Sequence, residues 1–519
     1  MASSISIVVI ATVTLSYVIW AWKMLNWLWL RPKKLEKLLR EQGLKGNPYR
    51  LLGGDLKDFH KSLKEAESKP MAISDDIVPH VSSYIQQSVN KYGKNSFIWF
   101  GPIPRVTLKD PELIRDVLNK IYDFPKPDTN PLYKILATGV ASYEGEKWSK
   151  HRRMINPAFN IVKLKILLPL FFISCNDLIT KWEEMLSSDG SCEMDVWPFL
   201  QNLAGDVISR AAFGSSYEEG KKIFQLQKEK VEFLMKVIMK VYIPGWRFVP
   251  TPIHRRMKDI DRYIQASLKD MVNKREQALK AGEATKNDLL GILMESNQKE
   301  IQEHGNNKDV GMTLQDIIEE CKLFYFAGEQ TTSVLLVWTM VVLSRYPDWQ
   351  ARAREEVFEV FGNQKPDFDG LSHLKIVTMI LYEVLRLYPP VPGLGRTVHK
   401  DMKVGDITLP AGVQITLPIV LVHHDRELWG DDAKEFNPER FSEGVSNATD
   451  GKVSFFPFGW GPRKCIGQNF ALLEAKMALS MILQKFSFEL SPTYAHAPSV
   501  VITLQPQYGA HLILHKVEI

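Results

Sequence analysis

FFPFGWGPRKCIG, residues 455–467, holds two prolines and three glycines around a single cysteine. Pro457, Gly459, Gly461 and Pro462 predict a stiff loop rather than helix. Cys465 follows Arg463 and Lys464, and a helix is expected from Ile466 to about Lys485. A thiol beside cations and near a helix N-terminus has a lowered pKa and tends toward thiolate. A thiolate can serve as an axial ligand to haem iron, and it pushes electron density toward the metal. The glycines allow backbone to approach a flat macrocycle without Cβ clashes. Spacing alone leaves the other reading open, a buried and inert cysteine.

The fixed positions Phe458, Gly461, Arg463, Cys465 and Gly467 match the pattern F-x-x-G-x-R-x-C-x-G. On these residues the chain resembles the cytochrome P-450 superfamily along essentially its whole length. The resemblance implies a mainly α fold with a small β portion, a triangular helical haem protein. It also implies haem b (iron protoporphyrin IX) with Cys465 as axial thiolate.

Further motifs agree. Glu383 and Arg386 in MILYEVLRLYPP share a helix face at i, i+3. The resemblance groups them with Arg440 of Pro438-Glu439-Arg440-Phe441 in a structural charge network. Trp148 and Arg152 stand at i, i+4 and present two donors suited to a carboxylate. The resemblance assigns them, with Arg396 and Arg463, to the haem propionates. Ala327-Gly328-Glu329-Gln330-Thr331-Thr332 lies in a long helical stretch. There the resemblance implies an oxygen-binding groove. Ala327 and Gly328 open room, and Thr331 helps deliver protons. Gln330 stands where similar enzymes carry an acid. Glu329, one residue earlier, points about 100° away on a helix.

Length and composition set the frame. The 519 residues are 45% hydrophobic and 24% charged, which excludes a disordered tail, a collagen-like fibre and a polytopic transporter. A formal net charge of +5 does not indicate nucleic-acid binding. Cys175, Cys192, Cys321 and Cys465 are too widely spaced for a disulfide scaffold or a zinc pattern. The resemblance implies electrons from NADPH through a separate flavoprotein reductase, and no Gly-rich dinucleotide fingerprint follows a strand here, so that partner must carry the flavin and nicotinamide sites.

The first 22 residues carry no charge. ISIVVIATVTLSYVIWAW, residues 5–22, makes about 27 Å of helix, close to a hydrocarbon core of about 30 Å. Trp20, Trp22, Trp27 and Trp29 suit an interfacial belt, and Arg31, Lys33, Lys34 and Lys37 follow. A cleaved signal peptide would start basic and end on small residues, and neither is found. The expected organisation is an anchor over 1–30, a basic linker over 31–50 and a catalytic domain over 51–519. The basic flank stays cytosolic in this reading, so Asn447-Ala448-Thr449 carries no sugar.

Hairpins are expected at Ser96–Leu108 and at Lys403–Pro418, the second turning at Pro410-Ala411-Gly412. Thr313–Ser344, with one glycine and no proline, predicts a helix of about 45 Å through the core. LRPKKLEKLLREQGLKGNPYRLLGGD, FYFAGEQTTSVLLVWTM and LYPPVPGLGRTV resemble the plant seventy-two clan, whose members oxidise triterpenes, iridoids and gibberellins. The resemblance implies a single-pass endoplasmic-reticulum monooxygenase with an apolar terpenoid substrate, O2 and an NADPH–cytochrome reductase. Phe124–Val140, the helix before Thr331, and Val391–Leu394 are the expected substrate-facing segments. Lys147, Lys150, Arg152 and Arg153 form either a solvated face or a docking patch for the acidic electron donor. Two other classes are open: a reductase-independent haem-thiolate isomerase or lyase, and a non-catalytic haem or lipid binder.

Overall fold

The structure, a computed structural model, describes residues 2–73, 76–127, 138–214, 217–238, 251–282, 288–305 and 307–517. Among the described residues helices dominate, with four small sheets between them.

The N-terminal rod is continuous: Ala2–Leu25, a π turn Asn26–Leu30, and Arg31–Glu41. Ile7–Glu41 is long and apolar enough to cross a membrane, and its most apolar window is wholly unburied. Residues 31–50, expected as a linker, instead carry the Arg31–Glu41 helix and the strand Lys45–Gly46. Leu35, Leu39, Leu44 and Tyr49 are buried in a core shared with the N-terminal sheet. The reason lies in the pattern LEKLL, which places Leu35 and Leu39 on one face at i, i+4. Tyr49 Oη donates to Leu28 O at 2.7 Å, so the π turn of the rod is tied to the core that holds Tyr49.

The five-stranded sheet runs Lys45–Gly46, Asn95–Phe100, Ile103–Leu108, Gln414–Leu417, Leu394–Thr397. Asn95–Phe100 and Ile103–Leu108 form the first expected hairpin, turning at Gly101-Pro102. The second hairpin is corrected. Met402–Val404 pairs with Ile407–Leu409 across Gly405-Asp406, where Gly405 has φ +56°. Gln414–Leu417 joins the larger sheet instead, between Ile103–Leu108 and Leu394–Thr397. Pro410-Ala411-Gly412 therefore connects two sheets. The glycine that turns the hairpin is Gly405, whose left-handed backbone suits a two-residue turn.

The long helix is Leu314–Arg345, with Thr313 as its cap. It too is long and apolar enough for a membrane, but two thirds of its most apolar window is buried. The helices Gly145–Ile155 and Ile161–Glu184, with the turn between them, pass the same test only as a span bent by 58°. Their Trp148, Leu164, Phe171 and Trp182 lie in the main core.

Candidate functional site

The central helix begins at a capping box. Thr313 Oγ1 accepts the Asp316 N–H at 3.1 Å, and Asp316 Oδ2 accepts the Thr313 N–H at 3.1 Å. Every residue from Ile317 to Tyr325 and from Thr332 to Leu343 is buried. Burial lapses between them: Ala327 is exposed, and Phe326 and Gly328 through Thr331 are half-buried. A helix enclosed on both sides of this stretch borders an interior space there. Thr331 Oγ1 donates to Ala327 O at 2.8 Å, taking part of the carbonyl's capacity from the helix ladder. A Cβ on Gly328 would meet Ile208 Cγ1 at 2.7 Å, so close contact with the Trp197–Phe213 helix by itself demands glycine.

Long side chains close the angular gap between Glu329 and Gln330. Gln330 Nε2 donates to Glu329 Oε2 at 3.2 Å, and Gln330 Oε1 accepts from Gln505 Nε2 at 3.0 Å. Burial pushes the Glu329 carboxyl up to about 7, offset only in part by Gln330 and the charge of Lys228. Glu329 stands one residue before the position where an acid is expected, and burial raises its carboxyl toward neutrality.

The cysteine loop closes on itself. Cys465 N–H donates to Phe458 O at 2.8 Å, and Gly459 N–H donates to Phe456 O at 2.9 Å. One 3-10 turn, Gly461–Arg463, interrupts a loop expected to hold no helix. The following helix is Gln468–Lys485, with Gly467 as its cap. Gly461 has φ +68°, and a Cβ there would lie 2.7 Å from Asn119 Oδ1 and 2.9 Å from Leu118 O.

Cys465 is open to a water-sized space, yet burial pushes its thiol up. A Gly467 backbone hydrogen bond and the charges of Arg152 and Lys464 oppose this without overcoming it. The expected lowering of this pKa is therefore corrected: desolvation outweighs the adjacent cations. A metal ion at the sulfur would supply the missing charge. The Phe159 ring reaches within 4.0 Å of the Cβ position of Gly467, and its centroid lies 5.7 Å from that of Phe324 on the central helix. It spans from the cysteine loop to the turn before Ala327.

Cations gather beside the sulfur. Trp148 and Arg152 come from the Gly145–Ile155 helix, and Trp148 is buried. The Arg463 guanidinium lies 4.5 Å from the Trp148 ring centroid. Arg463 Nη1 donates to Tyr143 O at 2.9 Å, and Nη2 pairs with Glu144. Arg396 is buried on the strand Leu394–Thr397, with Nη1 donating to Gly395 O at 2.8 Å. Lys126, which sequence reasoning missed, joins them. Burial first, then the charge of Arg463, pulls Lys126 down to about 7 and Arg396 down to about 10.

Three cations, Lys126, Arg396 and Arg463, thus share one carboxylate, Glu144, which the sequence also did not reveal, and Arg152 stands nearby beside the sulfur. The Nε atoms of Arg396 and Arg463 are buried without a hydrogen-bond partner. Buried donors without acceptors and clustered like charges both call for anions. A flat group carrying two carboxylates, with a metal facing Cys465, fits this set of donors.

The basic residues of the Gly145–Ile155 helix have partners within the protein, but Lys147 and Arg153 stay exposed at its surface. Lys147 pairs with Asp316 at 2.8 Å, Lys150 donates to Asp309 O at 3.0 Å, and Arg153 pairs with Glu300. Behind the site, Glu383 and Arg386 are fully buried and bidentate, at 2.7 Å for each bond. Arg440 Nε lies 3.4 Å from Glu383 Oε1, while its Nη atoms donate to Trp429 O and Asp432 O.

The sequence profile of the cytochrome P450 family matches residues 77–509. The chain belongs to the cytochrome P450 family. As a P450 it is a haem-thiolate oxidoreductase of the monooxygenase type, and its cofactor is iron protoporphyrin IX. The family brings with it molecular oxygen, a reductase and an organic substrate. Cytochrome P450 72A68 of Medicago truncatula is 63% identical over 513 residues, 99% of this chain and 98% of the relative. An 11-oxo-beta-amyrin 30-oxidase of Glycyrrhiza uralensis is 58% identical over 98% of each chain. A 7-deoxyloganic acid hydroxylase of Catharanthus roseus is 56% identical over 96% of each. The P450 fold is also that of retinoic acid bound cyanobacterial CYP120A1, with a TM-score of 0.75 at 21% identity, covering 91% of this chain and 98% of that one. In this P450, residues 128–137 of the expected substrate-facing segment Phe124–Val140 lie outside the described residues.

Proposed function

We propose that this P450 oxidises a terpenoid, with Cys465 as the iron ligand and Thr331 as the proton-handling hydroxyl. The observation that carries the reading is the lapse in burial at Ala327–Thr331, in a helix otherwise sealed, together with the open sulfur of Cys465. Arg152, Arg396 and Arg463 hold the two propionates, with Trp148 beneath Arg463. Phe458 and Gly467 fix the loop and helix start that flank the sulfur. When bound, the haem supplies reductive activation of O2, so that one oxygen atom enters the substrate and the other leaves as water.

The protein's own residues do the remainder. Thr331 offers its hydroxyl at the open side of the helix beside Ala327, and Gly328 keeps the helix close to Ile208. Gln330 holds the Glu329 carboxyl through its amide, and Gln505 holds Gln330 in turn. Val391–Leu394 contributes to the substrate side.

The relatives that act on 11-oxo-beta-amyrin and 7-deoxyloganic acid support a terpenoid substrate for this chain. Triterpenoid hydroxylation or stepwise oxidation is the first reading. The apolar N-terminal rod supports a single-pass anchor in the endoplasmic reticulum, with the catalytic domain and an NADPH–cytochrome reductase on the cytosolic side. The test is microsomal expression with a plant reductase, fed triterpenoids, iridoids and gibberellins, with products identified by mass. Oxygenated triterpenoid appearing only with NADPH supports the reading, and turnover without reductase or NADPH sinks it.

A further inference from the structure

Trp338 stands seven residues beyond Thr331, which on a helix is the same face about 10 Å farther along. It is fully buried, and its indole N–H donates to Leu504 O at 2.8 Å. The next residue of that strand, Gln505, is the one that bonds Gln330. The strand Thr503–Pro506 therefore fastens both to the half-buried stretch Ala327–Thr331 and to the indole.

From Trp338 a line of contacts leads outward. The Tyr388 ring stacks on the indole, with centroids 4.6 Å apart and planes 18° apart. Tyr388 Oη lies 3.3 Å from His496 Nε2, and Tyr494 Oη lies 2.8 Å from His496 Nδ1. Trp338, Tyr388 and His496 are buried, whereas Tyr494 is half-buried beside the exposed Thr493. Four side chains in contact thus run from the central helix to the surface, and three of them give up one electron readily.

Packing accounts for only part of this line. A phenylalanine would stack on Trp338 as Tyr388 does, without bringing a buried hydroxyl that needs a partner. A neutral imidazole has one acceptor and one donor nitrogen, so it takes a proton from one phenol while it donates to the other. Burial, and then the charge of His80, pulls His496 down to about 3, so the ring is neutral with a lone pair free for a phenol proton. Burial pushes the Tyr388 phenol up, so its proton leaves only as the ring is oxidised.

We propose that Trp338, Tyr388, His496 and Tyr494 form an electron relay that draws oxidising equivalents away from the haem when no substrate consumes them. This rests on the haem-thiolate reading above. The oxidant is the haem centre after reaction with a peroxide. Trp338 gives it one electron and takes one from Tyr388, whose proton passes to His496 Nε2. Tyr494 then gives an electron to Tyr388, Nε2 returns the proton, and Tyr494 releases its own proton to water. The haem centre gains one electron, and Tyr494 loses one electron and one proton. A thiol or ascorbate at the surface restores Tyr494 by giving it a hydrogen atom.

The test uses the full-length ferric holoenzyme without substrate, with Tyr388→Phe and Tyr494→Phe. Each is mixed with peracetic acid and frozen within milliseconds for electron paramagnetic resonance. The parent should show a tyrosyl radical that Y388F loses. A soluble phenol added during the reaction should couple to Tyr494, as located by peptide mass. Haem bleaching by peroxide should quicken several-fold in both variants. Tyr263→Phe, at an exposed position on the Pro252–Lys280 helix, should match the parent throughout. Parental radical yield and parental bleaching in both Y388F and Y494F overturn the proposal. So does phenol coupling that spares Tyr494, and so does faster bleaching that appears only with a lower unfolding temperature, which marks tyrosines that merely hold the fold. Failure of the underlying haem-thiolate reading looks different: the parent itself would then lack the thiolate-type carbon-monoxide spectrum.

Discussion

His423 Nε2 accepts the backbone N–H of Phe456 at 3.1 Å, while its Nδ1 faces Arg386 O at 3.1 Å. The pairing fixes the tautomer, since Nε2 must be the acceptor and Nδ1 the donor. Through this ring the Glu383–Arg386 pair reaches the first residues of the cysteine loop. His423 is fully buried, and burial with Arg386 nearby holds it neutral, well below its ordinary range. His423→Leu leaves the Phe456 N–H without an acceptor, a loss of about 1–3 kcal/mol. Haem content and thermal unfolding should both fall. A folded-state pKa below the unfolded 6.5 contributes stability that is present above that pH and lost as pH falls below it. The parent should therefore weaken on acidification below about pH 6.5 more steeply than H423L, as followed by thermal unfolding across pH.

Arg386 uses all five of its guanidinium hydrogens. They go to Glu383 twice, to His423 O, to Ala433 O and to Glu435 O. Glu383→Ala removes the one carboxylate among the described residues that is bonded to this fully buried cation, a change worth about 3–5 kcal/mol. Arg386→Lys should not rescue the site, because an ammonium cannot span these acceptors from one plane. Both variants are expected to yield little folded, haem-loaded protein. Normal thermal stability in either would show that the pair is dispensable.

The parts of the fold legible in the sequence were those set by local chemistry. The glycine and proline spacing around Cys465, the unbroken apolar stretch of the central helix and the i, i+3 pair Glu383–Arg386 all read correctly because each is contained in one segment. What the sequence concealed depends on distant segments meeting. Lys126 and Glu144 become site residues only because the chain returns beside Arg396 and Arg463. His423 carries no signal at all until Phe456 arrives against it. The hairpin at Met402–Leu409 was misplaced because Pro410-Ala411-Gly412 is as good a turn signal as Gly405-Asp406, and only sheet pairing chooses between them. The acidity of Cys465 was misjudged for a related reason: adjacent cations are visible in sequence, and burial is not.

Two glycines share φ +68° and separate backbone strain from crowding. Gly451 has nothing within 4 Å of a Cβ position, whereas Gly461 would place one 2.9 Å from Leu118 O. Gly451→Ala should cost about 1 kcal/mol for the left-handed backbone alone. Gly461→Ala adds a clash with main chain at the end of the Pro111–Asn119 helix. Its loop must shift, and haem affinity should drop with it. Equal stability and equal haem retention in the two variants would remove the claim that Gly461 seats the cysteine loop.

Glu329 gives the opposite pH dependence to His423. Its carboxyl rises from the ordinary 4.5 to about 7 because burial disfavours the charged form. A folded pKa above the unfolded one contributes stability that is fully present below pH 4.5 and lost as pH rises through about 7. At about 1.4 kcal/mol per unit, the effect across this window is about 3 kcal/mol. Glu320 and Glu474 are also raised by burial, so the absolute slope belongs to several groups. The difference between parent and Glu329→Gln isolates one of them. E329Q keeps a neutral side chain of the same length beside Gln330, and it should unfold at nearly the parental temperature at pH 5. By pH 8 it should be the more stable of the two. Parallel stability curves for E329Q and parent from pH 5 to pH 8 would show that the Glu329 carboxyl ionises freely in the folded protein, as one open to bulk solvent does.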